Sequence, residues 1–75
     1  MQLGDLQIGQ QAKITSFAAG DPVYRKRLIA LGFLPGTPFY VSHIAPLGDP
    51  IEIRVRGLGL SLRKDEAAIL MVEVI

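Results

Sequence analysis

Cysteine is absent from this chain and histidine occurs once. The sequence therefore allows no disulfide framework, no thiolate metal site and no cysteine nucleophile. Transition metals prefer imidazole, thiolate or convergent carboxylate ligands. Asp49 and Glu52 can approach each other across a turn, and with His43 they are candidates for only a weak metal site. We therefore expect neither a resident metal nor a cofactor.

A strong excess of charge is also lacking. Eight basic and seven acidic residues give a formal net charge of +1. A dedicated nucleic-acid binder normally has a much stronger basic bias, so we expect no nucleic-acid partner. Arg54, Arg56, Arg63 and Lys64 are expected to form a modest basic patch on paired strands and a turn. Such a patch is usually the solvated face of an amphipathic sheet, and docking of an acidic protein or a phosphate contact are the alternatives.

Signals for export and for membrane insertion are missing as well. Residues 1–10 contain neither a basic start nor an apolar run of signal-peptide length. The longest apolar run, residues 67–72, is far shorter than the ~20 residues of a membrane-spanning helix. The sequence thus predicts a soluble, cytoplasmic protein.

Hydrocarbon is abundant instead. Apolar residues make up 49% of the 75 residues and charged residues 20%, which is enough for a core without disulfides or a structural metal. The length predicts a single domain over residues 1–75. Since so apolar a small domain cannot bury all its hydrocarbon, we also expect an apolar binding face.

One α-helix is well marked near the amino terminus. Asp21 can cap its first amides, Pro22 suits the first helical position, and Gly32 can end it in a left-handed conformation. The next residues, 32–36, contain two glycines and a proline. They forbid continuation of the helix and predict a rigid corner.

The helical period divides the side chains of this segment between two faces. Tyr24, Leu28 and Leu31 recur at i, i+4 and i+7 and are expected to face the core. Ile29 falls on the other side, among the charges of Arg25 and Lys26.

Alternating apolar and polar residues predict about five short strands. The clearest example is residues 51–56, where Ile51, Ile53 and Val55 alternate with Glu52, Arg54 and Arg56. Short strands separated by glycine and proline turns favour a mainly β fold, a small barrel with the helix after the first strand. The predicted core consists of Ile14, Leu28, Leu31, Val41, Ile53, Val55, Leu60, Leu62, Val72 and Val74.

Catalytic patterns are not recognisable. His43 is the only imidazole available to a hydrolytic triad, and no serine lies in a nucleophile-elbow context. The stretch Gly57-Leu58-Gly59 begins like a dinucleotide loop but lies between two strands, which is typical of a hairpin turn. The sequence therefore predicts a protein that is not an enzyme.

Two separated segments carry a family resemblance. Residues 24–28 and 31–37 resemble the helix and the glycine-proline corner of the FeoA proteins. Residues 45–53, followed by Arg56-Gly57 and residues 60–64, resemble that family's second signature. With Leu6, Gly9 and the closing strand, the similarity extends over nearly the whole chain.

This resemblance implies an SH3-like barrel that works beside FeoB, the membrane permease for ferrous iron. It implies the pathway but no metal site. Similar domains also occur at the carboxyl end of the iron-dependent repressors of the DtxR family. A second class of function is therefore a small-barrel module that binds metal or nucleic acid. We expect the first class, an accessory protein that reaches the membrane only through its partner. The expected partner-binding residues are Arg25, Lys26, Ile29, Phe33 and Leu34.

Overall fold

The computed structural model describes residues 1–18, 20 and 22–75. In chain order the elements are a 3₁₀ helix Leu3–Asp5, β1 Gln11–Phe17, α1 Pro22–Ala30, β2 Pro38–Ile44, β3 Ile51–Val55, β4 Leu58–Leu62, α2 Lys64–Ala68 and β5 Leu70–Val74. Five strands are present, as predicted, and a second short helix, α2, precedes the last strand. Within the described part of the chain, no helix is long and apolar enough to cross a membrane.

The strands form one antiparallel sheet in the order β4-β3-β2-β1-β5. The sheet surrounds a single apolar core, and the molecule measures 27 × 25 × 22 Å. The predicted small barrel with a helix after β1 is therefore confirmed. Closure is partial, because the ladder of described strands ends at β4 and at β5. The amino terminus covers part of β5, where Val72 N–H donates to Met1 O at 2.8 Å.

Two β-bulges interrupt the alternation of buried and exposed side chains in β1 and β2. In β2 the register shifts between Val41 and His43. Val41 is buried, whereas beyond the shift His43 is exposed and Ile44 is half-buried. The bulge in β1 leaves Ser16 exposed, although Ile14 is buried. A bulge adds one residue to one strand, so strict alternation cannot continue through it.

Most of the predicted core is confirmed. Ile14, Leu28, Val41, Ile53, Val55, Leu62 and Val72 are buried, and Leu60 packs against them while partly exposed. The prediction was wrong for Leu31 and Val74, which are 42% and 43% exposed. Helix α1 ends at Ala30, so Leu31 leaves the helical period, and Val74 is the last residue of an end strand.

The amino-terminal lead-in contributes core residues that periodicity did not reveal. Leu3 and Leu6 are buried, and the 3₁₀ helix that begins at Leu3 and ends before Leu6 packs against α2. Gln2 N–H donates to Asp5 Oδ2 at 3.0 Å and Leu6 N–H donates to Leu3 O at 3.1 Å. These bonds make the lead-in a compact turn that places both leucines in the core.

Candidate partner-binding surface

Helix α1 carries three of the predicted partner-binding residues. Two of its other side chains, Tyr24 and Leu28, face the core and set its orientation. Pro22 is its first residue, as predicted. Leu28 is fully buried, and Tyr24 is half-buried against the core. The capping role predicted for Asp21 lies outside the described residues. Because Tyr24 and Leu28 fix which side faces inward, Ile29 is left 40% exposed.

The carboxyl end of α1 is a Schellman motif. Gly32 has φ +94°, and its N–H donates to Ile29 O at 3.0 Å. Phe33 N–H donates to Leu28 O, also at 3.0 Å. In this motif the residue after the left-handed glycine commonly packs against the residue whose carbonyl it bonds. Phe33 and Leu28 are accordingly buried together, at 1% and 0% exposure.

This geometry corrects the expectation for Phe33. Phe33 and Leu34 were both expected among the partner-binding residues, and therefore at the surface. The structure separates them: Phe33 is a core residue, and Leu34 is 51% exposed. Phe33 cannot contact a partner while the corner is folded.

Hydrogen bonds to β1 hold the corner in place. Gly36 has φ +89°, and its N–H donates to Ile14 O at 2.6 Å. Ile14 N–H donates in turn to Thr37 O at 3.1 Å, and Thr37 N–H donates to Leu34 O at 3.0 Å. Thr37 is buried, although the sequence analysis assigned it no role. Leu34 is therefore presented from a fixed backbone.

The helix and the corner together expose apolar and basic side chains. We call this set the helix–corner surface, and it consists of Arg25, Lys26, Ile29, Leu31 and Leu34. All five are exposed. Leu31 replaces Phe33 in this set, because the turn that buries Phe33 leaves Leu31 exposed.

Contacts with charged groups connect α1 to the barrel. The guanidinium of Arg25 lies 5.7 Å from the centroid of the Phe17 ring, within the range of a cation–π interaction. Arg27 Nη1 lies 2.8 Å from Oε2 of Glu66, a residue of α2 that is 1% exposed. The other oxygen, Oε1, accepts a hydrogen bond from Arg63 N–H at 3.1 Å.

Glu66 is a buried charge that was not expected from the sequence. Its Oε2 has no hydrogen-bond donor of good geometry among the described residues, so charge attraction to Arg27 offsets its burial. The Arg27 side chain itself is 57% exposed. This ion pair therefore joins α1 to α2 and also supplies the counter-charge that a buried carboxylate requires.

Two of the three candidate metal ligands are neighbours in one ladder, and the third makes a hydrogen bond elsewhere. Glu52 is the register partner of His43 in the β2–β3 ladder, and its Oε1 accepts a hydrogen bond from Ser42 Oγ at 2.9 Å. Asp49 Oδ1 instead accepts from Lys64 N–H at 3.1 Å. Among residues 1–18, 20 and 22–75, no three histidine or carboxylate side chains are grouped to hold a metal ion.

The basic patch that the sequence suggested is divided between two depressions. Arg54 and Arg56 line a groove of about 190 Å³ beside Tyr40. Arg63 and Lys64 line a separate cleft of about 320 Å³. The cleft contains charges of both signs, because its lining also includes Arg27, Asp49, Asp65 and Glu66.

Comparison with known proteins relates this fold to a family. A family model described as the FeoA domain matches residues 1–74. A protein of Porphyromonas gingivalis named Fe(2+) transport protein A/Fe(2+) transporter FeoB fusion protein is 40% identical over 75 residues. That alignment covers 100% of this chain and 9% of the fusion protein, so the chain spans about a tenth of that relative's length.

Solved structures of similar proteins have the same fold. The solution structure of FeoA from Chlorobium tepidum matches with a TM-score of 0.89 and 41% identity, covering 100% of this chain and 70% of that one. The crystal structure of Stenotrophomonas maltophilia FeoA complexed with zinc, described as a procaryotic SH3 domain protein, matches with a TM-score of 0.84 and 26% identity, covering 97% and 89%. The chain therefore belongs to the FeoA domain family, which is linked to ferrous iron transport, and has its SH3-like fold.

Proposed function

We propose that this domain is a non-enzymatic accessory of ferrous iron uptake that docks on a FeoB-type permease through the helix–corner surface. Residues 1–75 act as one domain in the cytoplasm, and the domain reaches the membrane only through this partner. The contact residues are Arg25, Lys26, Ile29, Leu31 and Leu34.

The observation that carries the proposal is the exposure of three aliphatic side chains on a rigid helix end. Ile29, Leu31 and Leu34 are 40%, 42% and 51% exposed. Their backbone is held by the Schellman motif and by the bonds to β1. An interface favours an apolar centre with a polar rim, and Arg25 and Lys26 supply such a rim. Rigid contact residues also lose little conformational entropy on binding.

The identity of the partner is supported by a relative. In the P. gingivalis protein, a segment similar to this chain and a FeoB transporter belong to one fusion protein. Two units in one polypeptide remain at high effective concentration. Where the two units are not covalently joined, the same association requires a binding surface between them.

The test compares two isoleucines that are both exposed. Ile29→Glu introduces a charge into the helix–corner surface, whereas Ile8→Glu introduces the same charge at a side chain that is 59% exposed before β1. Each variant is first melted to show that it folds. Binding to permease-containing membranes should then fall about tenfold or more for Ile29→Glu and stay unchanged for Ile8→Glu. Equal affinity of both variants would exclude the helix–corner surface as the contact.

The alternative class, a small-barrel module that binds a metal, has less support. His43, Asp49 and Glu52 are not gathered into one site in the described chain, and the zinc complex belongs to the S. maltophilia protein. The two classes differ in their response to solution conditions. Docking through aliphatic side chains should survive both chelator and raised salt, whereas metal-dependent binding should be lost when EDTA is added.

A further inference from the structure

A row of residues crosses four strands on the outer side of the barrel. In the ladders, Gln11 of β1 lies opposite Tyr40 of β2, Tyr40 lies opposite Arg54 of β3, and Arg54 lies opposite Gly59 of β4. Residues directly opposite each other project from the same face of a sheet. All four residues are exposed. This row is separate from the helix–corner surface and shares no residue with it.

The glycine at the end of the row leaves space for the Arg54 side chain. A Cβ added at Gly59 would lie 3.4 Å from both Cζ and Nε of Arg54. The guanidinium therefore lies against the backbone of β4. Arg54 Nε is also 3.8 Å from Glu52 Oε1. Both side chains of this pair are substantially exposed, so the contact neutralises the guanidinium only weakly.

Arg56 brings a second guanidinium to the same place. It occupies the β3–β4 turn with φ +54°, and Gly57 follows with φ +81°. Two consecutive positive φ values define a tight hairpin turn whose first position usually holds asparagine, aspartate or glycine. An arginine in the left-handed region is uncommon and carries a backbone cost. Despite this cost, Arg56 is exposed and lines the same groove as Arg54.

Together these residues line the 190 Å³ groove. Apolar surface comes from Tyr40 and from Ile75, which is 68% exposed and is held beside the row because its N–H donates to Gln11 O at 3.0 Å. Among the described residues that line the groove, none has an acidic side chain. Its volume is below the ~300 Å³ at which pockets for drug-sized molecules begin, so it suits side chains of an extended segment.

We propose that this groove binds an acidic peptide segment of a partner protein, with carboxylates against Arg54 and Arg56 and an apolar side chain against Tyr40 and Ile75. Guanidinium groups bind carboxylates through paired, charge-assisted hydrogen bonds. Two guanidiniums beside a tyrosine and an isoleucine match a segment that carries acidic and apolar side chains on one face, at every second position of an extended chain. The proposal goes beyond docking through the helix–corner surface and does not require it.

The test uses isolated peptides and the full chain, without any permease, so its failure is separate from failure of the proposed function. The probe is a short fluorescent peptide with glutamate and leucine in turn at every second position and serine between them, so that both side chains share one face of the extended peptide. Binding is followed by anisotropy. The control peptide has glutamine in place of every glutamate. NMR amide shifts show whether the bound peptide lies at Tyr40, Arg54 and Ile75.

Three variants test the role of charge. Arg54→Gln removes one charge from the groove, and Arg63→Gln removes the same charge from the other cleft. Arg56→Gly removes a guanidinium while supplying the residue that best tolerates a left-handed turn, so it should melt no lower than the unaltered domain. We expect Arg54→Gln and Arg56→Gly each to lower the affinity for the glutamate peptide about tenfold or more, which corresponds to the loss of a charged hydrogen bond. Arg63→Gln should leave its affinity unchanged.

Several results would overturn the proposal. Equal binding of the glutamine peptide would show that the carboxylates do not matter. An equal loss in Arg63→Gln would show a diffuse charge effect instead of a site. Tighter binding of oligothymidylate, with shifts at the same amides, would assign the groove to phosphate groups.

Discussion

Phe33→Ala is expected to be among the most destabilising single substitutions in this domain. Phe33 is 1% exposed, and the Schellman motif at the end of α1 fixes it against Leu28. Truncation of a buried phenylalanine to alanine costs about 3–5 kcal/mol, because transfer energy is lost and a cavity remains. Domains have a total stability of about 0.05–0.15 kcal/mol per residue, which is roughly 4–11 kcal/mol at this length. The variant should therefore lose about a quarter of its stability or more.

Leu34→Ala is the matched control at the next position. Leu34 is 51% exposed, and surface substitutions usually stay within about 0.5 kcal/mol. Urea unfolding followed by circular dichroism gives the midpoint for each variant. With a slope of about 1–3 kcal/mol per molar urea, Phe33→Ala should lower the midpoint by at least about 1 M. Equal midpoints for the two variants would refute the burial of Phe33 and the corner geometry derived from it.

Three further predictions concern the sheet, the ion pair and metals. In the same urea assay, Ile53→Ala should cost about 2–5 kcal/mol of stability and Arg54→Ala less than about 0.5 kcal/mol, because Ile53 is fully buried and Arg54 is exposed. Similar costs for the two variants would contradict the register of β3. Arg27→Met should cost about 1–3 kcal/mol more stability than Lys26→Met, because it leaves the buried Glu66 carboxylate without a counter-charge. In a double-mutant cycle, adding Glu66→Gln to Arg27→Met should restore part of the lost stability. EDTA should leave the melting temperature unchanged, since the described residues gather no set of metal ligands; a fall of several degrees would reveal a structural metal.

The strands were predictable where apolar and polar residues alternate without interruption. Ile51, Ile53 and Val55 are buried as the pattern of β3 requires. In β2 the same argument holds as far as Val41 and then fails, because the bulge before His43 reverses the faces. A bulge has no reliable signature in a single sequence, so the exposure of His43 could not be assigned in advance.

The end of the helix shows a different limit. Gly32 correctly predicted where α1 stops, but Leu31 was expected in the core and Phe33 at the surface. The structure reverses these two assignments, because a Schellman turn directs the residue after the glycine back toward the helix. The turn type depends on hydrogen bonds to Leu28 and Ile29 carbonyls, which residue identity alone does not specify.

The other features that could not be predicted from the sequence depend on tertiary contacts. The charge of Glu66 is buried only because α1 brings Arg27 within 2.8 Å of it. Gln11, Tyr40 and Arg54 are distant in sequence and become neighbours through the ladder register. Helical and strand periods describe one segment at a time, so neither the ion pair nor the groove could be read from them.

Selective binding to vesicles tests the central claim most directly. Proteoliposomes that contain a FeoB-type permease, and liposomes of the same lipids without it, are sedimented with the purified domain. Docking on the permease through aliphatic contacts predicts that the domain sediments only with the permease vesicles and still does so in about 0.5 M salt, where surface charge interactions are largely screened. Equal sedimentation with both vesicle types, or none with either, would contradict the account.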